Sequence, residues 1–151
     1  MTERFAGGAI SVLFACRDNA GLSLLAEALA HRRAPRLRAF SAGIAPGPVD
    51  LTAVECLHAA RIPADGLSSK PLEVFALPGA PRIDLLVSLV EDVEGEVERL
   101  ARRIRCGHRR WRLTDTAAEP DPHARRLAYR RLLPDLAPAI GGLLTEPAFA
   151  A

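Results

Sequence analysis

The sequence is poor in aromatic residues and in cysteine, and the scarcity of cysteine excludes two classes of protein. Phenylalanine, tryptophan and tyrosine together make up 5% of the 151 residues. The three cysteines, Cys16, Cys56 and Cys106, are odd in number and widely spaced, so they form neither a disulfide framework nor a metal-ligand cluster. Free cysteines are typical of a reducing compartment, and we expect a cytoplasmic protein with no metal and no cofactor.

Long hydrophobic runs and a strong net charge are absent as well. No run approaches the roughly 20 apolar residues that span a bilayer, and residues 1–8 lack the apolar core of a secretory signal. A net charge of +2 gives little electrostatic support for binding nucleic acid. We therefore expect no membrane and no nucleic-acid partner, while the oligomeric state stays open. The length predicts a single domain over residues 1–151, frayed at 1–8 and 145–151.

The hydrophobic pattern predicts four strands that alternate with helices. Two nearly continuous apolar runs, 10–15 and 83–89, are typical of buried parallel strands, and two shorter strands are expected at 37–41 and 111–115. The fold class that follows is α/β, with three layers: a four-stranded parallel sheet and helices on both of its faces.

Helix signals separate these strands. A first helix is expected from Ser23, a second after an Asp50 N-cap, and a third over 91–105 with Gly107 as its C-cap. The tail, 122–144, has a helical apolar set that Pro134 and Pro138 should kink or split, because neither proline supplies an N–H. The count is about five helices.

The strongest candidate site lies between the first strand and the first helix. Cys16 ends the strand, and the helix that follows offers its N-terminal N–H groups and its dipole to an anion. The same field lowers the pKa of a thiol, and the thiolate is the nucleophilic form. The alternative for Cys16 is a buried, inert thiol, which is common for free cysteine.

This segment resembles the phosphate loop of the low-molecular-weight protein tyrosine phosphatases and of the arsenate reductases that share their fold. The family pattern, Cys-x-x-Asn-x-x-Arg-Ser, is matched at Cys16, Asn19 and Ser23 and is followed by Ala-Glu-Ala at 26–28. A Ser-Ala-Gly segment at 41–43 also fits the family order. The resemblance covers roughly residues 11–144 and implies that one loop holds an oxyanion. That loop comprises Cys16, Arg17, Asp18, Asn19, Ala20, Gly21, Leu22 and Ser23.

The resemblance also implies a general acid. Trp111 and Asp115 match the family's Trp-x-x-x-Asp, whose aspartate protonates the leaving oxygen, although Thr116 stands where proline is usual. A turn or helix cap is the alternative role for Asp115. In the family, Ser23 would stabilise the thiolate and Asn19 would hold the loop in shape.

One departure decides the functional prediction. The family's arginine falls on Leu22, and a leucine cannot make the two parallel charge-assisted hydrogen bonds that clamp an oxyanion. Arg17 is the only cation left in the loop and is the one candidate to compensate. Losing one preorganised donor typically lowers turnover by about a hundred- to a thousandfold.

Three functional hypotheses follow. In the first, the protein is phosphatase-like and uses Cys16 and Asp115 on phosphomonoesters, with weak or lost turnover. In the second, it is a non-catalytic pseudophosphatase that binds phosphate, another oxyanion or a phosphorylated protein. In the third, it is an arsenate reductase-like thiol-redox enzyme, for which Cys106 is the nearest candidate for a resolving cysteine in the sequence.

Overall fold

A single parallel sheet organises the molecule. The structure, a computed structural model, describes residues 8–146. The strands are β1 (Ile10–Cys16), β2 (Leu37–Gly43), β3 (Leu85–Ser88) and β4 (Gly107–Arg110), in the spatial order β2-β1-β3-β4. The chain leaves β1 for β2 on one side and then crosses to β3 on the other. The strand order therefore reverses at the carboxyl end of β1, where ligands bind in sheets of this kind.

Helices cover both faces of the sheet. The four α-helices are α1 (Leu22–His31), α2 (Leu51–Ala59), α3 (Glu94–Ile104) and α4 (Pro122–Leu143), and short 3-10 helices occupy Leu72–Ala76, Glu91–Val93 and Thr116–Ala118. α1, α2 and α4 pack together on one face, while α3 and the 72–76 helix pack on the other. The predicted three-layer α/β architecture is confirmed, with four α-helices among residues 8–146 where about five were expected.

The position of β1 in the sheet explains its sequence. All seven of its residues are buried, because it has a strand on either side and helices on both faces. An unbroken apolar run is what such a strand requires. β2 lies at an edge of the sheet, and its first half alternates between buried and exposed residues.

The predicted last strand and its preceding helix cap are wrong by a few residues. α3 ends at Ile104, and Arg105 caps it in the left-handed conformation with φ of 59°, so the cap falls two residues before Gly107, which begins β4. Beyond β4, Trp111 and Leu113 still donate backbone hydrogen bonds to Ser88 and Leu89. Arg112 between them has φ of 50°, and this positive angle prevents 111–115 from continuing as a regular strand.

The tail helix is not split. α4 continues through Pro134 and Pro138 to Leu143, since the buried side chains of Tyr129 and Ile140 anchor it on both sides of the prolines. The expected frayed ends lie mostly outside the described residues. Within them, Glu146 is held by Arg109 through two hydrogen bonds of 2.8 and 3.1 Å, so the chain at this point is tied to β4.

Among residues 8–146, none of the helices combines the length and the apolar character that crossing a bilayer requires.

Candidate active site

Cys16 lies at the carboxyl end of β1, and its thiol is enclosed by the loop that follows. The side chain is fully buried, and its Sγ lies 2.9 Å from the hydroxyl oxygen of Ser23 in the first turn of α1. No side chain caps α1 at Gly21, so the first N–H groups of that helix remain available to the loop. The thiol, the hydroxyl and the helix N-terminus thus converge, as the sequence predicts.

Asn19 fixes the shape of the loop. It adopts φ of 48°, a left-handed conformation that asparagine tolerates better than most residues. Its amide nitrogen donates to the Ser23 hydroxyl at 2.7 Å, and its amide oxygen accepts the backbone N–H of Lys70 at 2.8 Å. Asn19 is fully buried. The loop is therefore joined to the segment before the 72–76 helix by a bond that local sequence does not reveal.

The Ser-Ala-Gly segment of β2 packs directly against the loop and α1. Ser41 donates to the buried carboxylate of Glu27 at 2.5 Å, so two of the motifs that resemble the family meet inside the protein. A Cβ atom on Gly43 would lie 2.7 Å from the backbone nitrogen of Asn19 and 2.9 Å from the carbonyl oxygen of Arg17. Only glycine leaves room there for the loop backbone.

A second set of contacts holds the loop from the side of α4. The backbone N–H of Asp50 donates to the carbonyl oxygen of Ala20 at 2.7 Å. The Asp50 carboxylate caps α2 through the N–H of Thr52 and also accepts hydrogen bonds of 2.8 Å from Tyr129 and from Arg125.

Tyr129 also lies against the loop itself. Its ring is fully buried, and a Cβ atom on Gly21 would clash with its hydroxyl oxygen. Neither Tyr129 nor Arg125 was identified from sequence. The only signal was that Tyr129 is the one tyrosine of the chain, placed among arginines.

Leu22 and Arg17 leave the loop without an arginine clamp. The Leu22 side chain is fully buried in the hydrophobic core. The Arg17 guanidinium pairs with the Asp92 carboxylate at 3.1 Å, on the protein surface. In this structure Arg17 therefore does not take the place of the missing arginine, since its charge is directed toward Asp92.

Asp18 brings a negative charge into the loop. Its Oδ1 atom accepts the backbone N–H of Ala20 at 3.2 Å and lies 3.9 Å from the sulfur of Cys16. A carboxylate of the protein thus uses a loop N–H close to the candidate nucleophile. Sequence reasoning placed Asp18 in the loop but assigned it no role.

Burial raises the pKa of the Cys16 thiol, and the carboxylate of Asp18 raises it further. The hydrogen bond with Ser23 and the backbone N–H groups of Ser23 and Asn19 act in the opposite direction but do not outweigh burial. The prediction of a lowered pKa is therefore wrong for this loop. A neutral thiol is a poor nucleophile, because attack requires the thiolate.

Asp115 follows β4 and lies near enough to the loop for the charges of Asp18 and Arg17 to act on its carboxyl group. It is partly buried, and its Oδ1 atom has no hydrogen-bond partner among residues 8–146. Burial raises its pKa, and the nearby carboxylates of Asp18 and Asp92 raise it further. A cavity of about 360 Å³ joins the two regions, since its lining includes Asp18 and Ala20 from the loop and Ala117 from the Asp115 segment. The structure thus brings Asp115 to the loop's side of the molecule.

Cys106 lies at the amino end of the strands, whereas Cys16 lies at the carboxyl end of β1. Gly107 is level with Leu85 and, across β3, with Val12, so Cys106 is about five residues from the level of Cys16. At about 3.3 Å per residue this separation is roughly 16 Å along the strands, far beyond the ~7 Å between Cα atoms that a disulfide tolerates. Burial also raises the pKa of Cys106 to about 11. The redox pairing of Cys16 with Cys106 that the third hypothesis requires is incompatible with this fold.

The described residues also offer no candidate metal site. Within the described residues, no set of three or more histidine, cysteine, aspartate or glutamate side chains could hold a metal ion.

Comparisons with known proteins agree with this architecture. The family model described as low molecular weight phosphotyrosine protein phosphatase matches residues 11–123. No curated protein is similar enough in sequence to count as a match.

Three solved structures illustrate the shared fold. The tyrosine phosphatase amsI of Erwinia amylovora is 18% identical, with a TM-score of 0.72 over 91% of this chain and 95% of that one. The YwlE arginine phosphatase of Geobacillus stearothermophilus is 19% identical, with a TM-score of 0.68 over 90% of this chain and 94% of that one. An arsenate reductase of Archaeoglobus fulgidus is 24% identical, with a TM-score of 0.62 over 89% of this chain and 99% of that one.

Proposed function

Because the chain belongs to the low molecular weight phosphotyrosine protein phosphatase family, we propose that it is a phosphatase-like protein whose Cys16 loop turns over phosphomonoesters very slowly or not at all. The observation that carries this proposal is the buried Leu22 in the position of the clamping arginine. The pairing of Arg17 with Asp92 supports it, because the nearest alternative cation is engaged elsewhere.

Complete hydrolysis of a phosphomonoester requires a nucleophile, a general acid and a general base. The Cys16 thiolate would attack phosphorus, the S–P bond would form and the P–O bond to the leaving group would break, while Asp115 gives its proton to the leaving oxygen. Water would then attack phosphorus with Asp115 as the base, and the thiolate would leave. Inorganic phosphate is the product, and both Cys16 and Asp115 return to their starting states.

The structure supports two of the roles that this reaction needs, a proton donor and a group that stabilises the departing thiolate. A raised pKa suits Asp115 to donate a proton. The Ser23 hydroxyl, 2.9 Å from Sγ, can stabilise the departing thiolate. The raised pKa of Cys16 and the absence of an arginine act against the first step, since they disfavour both the nucleophile and the charge that develops on the phosphoryl oxygens. The two unfavourable features affect the first chemical step, so we expect a protein that keeps the phosphatase fold but turns over phosphomonoesters slowly or not at all.

The second candidate is a non-catalytic protein that binds a phosphate, another oxyanion or a phosphorylated protein through the same loop. The N-terminus of α1 supports this candidate, because no side chain caps it at Gly21 and because an anion needs N–H donors but no nucleophile. This candidate predicts binding that does not depend on Asp115. A cytoplasmic location likewise stays a prediction.

Hydrolysis of an aryl phosphate tests the proposal. The wild-type rate should fall at least a hundred- to a thousandfold below the roughly 10 s⁻¹ of a median enzyme. Any residual rate should disappear in Cys16→Ser. Cys56→Ser is the matched control, because Cys56 is also buried but contacts α4 rather than the loop. A wild-type rate typical of good enzymes, lost in Cys16→Ser and kept in Cys56→Ser, would refute the proposal.

A further inference from the structure

The carboxylate of Asp18 lies where the loop would receive an anion. It accepts the N–H of Ala20 at 3.2 Å, and its Oδ1 atom is 3.9 Å from the sulfur of Cys16. A phosphoryl oxygen positioned for attack by Cys16 would need donors in this same region, where the backbone N–H groups of Asn19 and Ser23 act on the thiol. The carboxylate and an external oxyanion would therefore compete for one place.

The backbone on both sides of this carboxylate is fixed. The carbonyl oxygen of Asp18 accepts the N–H of Gly47 at 2.9 Å and the hydroxyl of Ser69 at 3.2 Å. The carbonyl oxygen of Arg17 accepts the N–H of Ala45 at 2.8 Å. With its main chain held from two segments, the side chain can leave the loop only by rotating about its own bonds.

The charge of Asp18 has no close cationic partner in the described part of the chain. Arg17, its neighbour in sequence, pairs with Asp92. Arg125 lines the same cavity as Asp18 but directs its guanidinium to Asp50, at 2.8 Å. The negative charge therefore acts on the site itself, and it contributes to the raised pKa values of Cys16 and Asp115.

We propose that Asp18 is an internal ligand of the loop, which excludes dianionic oxyanions by occupying the Ala20 N–H and by repelling their charge. The inference rests on the proposed function only in concerning the same loop, because it describes binding rather than turnover. It argues against the second candidate function, in which this loop binds phosphate.

Two substitutions separate occupancy from charge. Asp18→Gly removes the carboxylate and frees the N–H of Ala20, whereas Asp18→Asn removes the charge and keeps an oxygen that can still accept from Ala20. Recovering one charge-assisted hydrogen bond is worth about 10- to 100-fold in affinity. We expect Asp18→Gly to bind inorganic phosphate by at least that factor more tightly than the wild type, with Asp18→Asn between the two.

Titration calorimetry of the full chain with inorganic phosphate measures this directly. Glu91→Gln is the matched control, because it removes one exposed carboxylate just after β3, at the same edge of the sheet, without touching a loop N–H. Its affinity for phosphate should stay within about twofold of the wild type, since surface charges are screened by salt.

The thiol gives an independent readout. Because the Asp18 carboxylate raises the pKa of Cys16, both Asp18 variants should alkylate faster at Cys16 with iodoacetamide at pH 8, as peptide mapping would measure. Faster alkylation in Asp18→Asn, which is nearly isosteric, supports the proposal even if Asp18→Gly does not fold.

Failure of this inference is distinguishable from failure of the proposed function. If folded Asp18→Gly and Asp18→Asn bind phosphate no more tightly than the wild type, or if Glu91→Gln gains as much as they do, the internal-ligand proposal is wrong. A high wild-type rate on an aryl phosphate would instead overturn the proposed function, and the internal-ligand proposal would survive it if Asp18→Gly still bound inorganic phosphate more tightly than the wild type.

Discussion

Substituting Gly21 by alanine should destabilise the protein severely, because the new methyl group would meet Tyr129. The added Cβ would clash with the hydroxyl oxygen and lie 2.8 Å from Cζ and 3.2 Å from Cε1. The Tyr129 ring is fully buried and donates to Asp50 at 2.8 Å, so it cannot move aside without losing that bond.

The magnitude follows from two costs. A hydrogen bond to a charged acceptor contributes about 1.5–3 kcal/mol, and overpacking a core typically costs about 1–3 kcal/mol. Together they predict a loss of about 2.5–6 kcal/mol in the free energy of unfolding, measured by urea denaturation. This loss is a large share of the roughly 5–15 kcal/mol of a typical domain.

A double-mutant cycle tests the assigned cause. Tyr129→Phe removes the oxygen that clashes, so the pair Gly21→Ala/Tyr129→Phe should cost at least about 1 kcal/mol less than the sum of the single variants. Gly142→Ala is the matched control, since a Cβ there meets nothing within 4 Å on α4. It should stabilise the protein by up to about 1 kcal/mol, as alanine does in a helix. Additive losses within ~0.5 kcal/mol would refute the reasoning.

Three further predictions concern pH, oxidation and the sheet. The pKa of Asp115 is raised in the folded state, so its stabilising contribution is full below the ordinary value of 3.8 and is lost as the pH rises through the folded value. Asp115→Asn should therefore increase the free energy of unfolding at pH 7, by under about 1 kcal/mol because the group is partly exposed, and Tm should rise slightly. At pH 3 the substitution should give no gain, and an equal gain at both pH values would contradict this. Mild oxidation of the folded protein should give no bridge between Cys16 and Cys106 in peptide mass mapping, and such a bridge in folded protein would show that the strand register is wrong. Asp84→Ala should lower the free energy of unfolding by about 1–3 kcal/mol, because the buried Ser11 N–H loses its acceptor at 2.8 Å; a change under 0.5 kcal/mol in urea melts would contradict this.

The fold could be predicted because its signals are local. The continuous apolar run of β1, the Asp50 cap and the spacing of Cys16, Asn19 and Ser23 each lie within a few residues of one another. The left-handed Arg112 gives no such signal, since arginine has no preference for positive φ, and this explains the misplaced last strand.

The environment of the site could not be predicted because it depends on contacts between distant parts of the chain. Tyr129 and Asp50 are separated by 79 residues, and Asn19 and Lys70 by 51. The pKa of Cys16 was expected to fall because a helix N-terminus lies nearby, but full burial and the carboxylate of Asp18 outweigh that field. The balance between burial and a helix dipole becomes visible only once the packing is known.

The hydrogen bonds that join Asn19 to Ser23 and to Lys70 have a consequence for how the motif is interpreted. These groups belong to the interior of the molecule, where losing one would leave polar atoms without partners at a cost of about 1–3 kcal/mol each. Selection for a foldable chain is therefore sufficient to preserve most residues of the motif, whether or not the loop catalyses a reaction. The residues that support the fold and the residue that would clamp a phosphoryl group occupy different positions, and here the second position holds leucine.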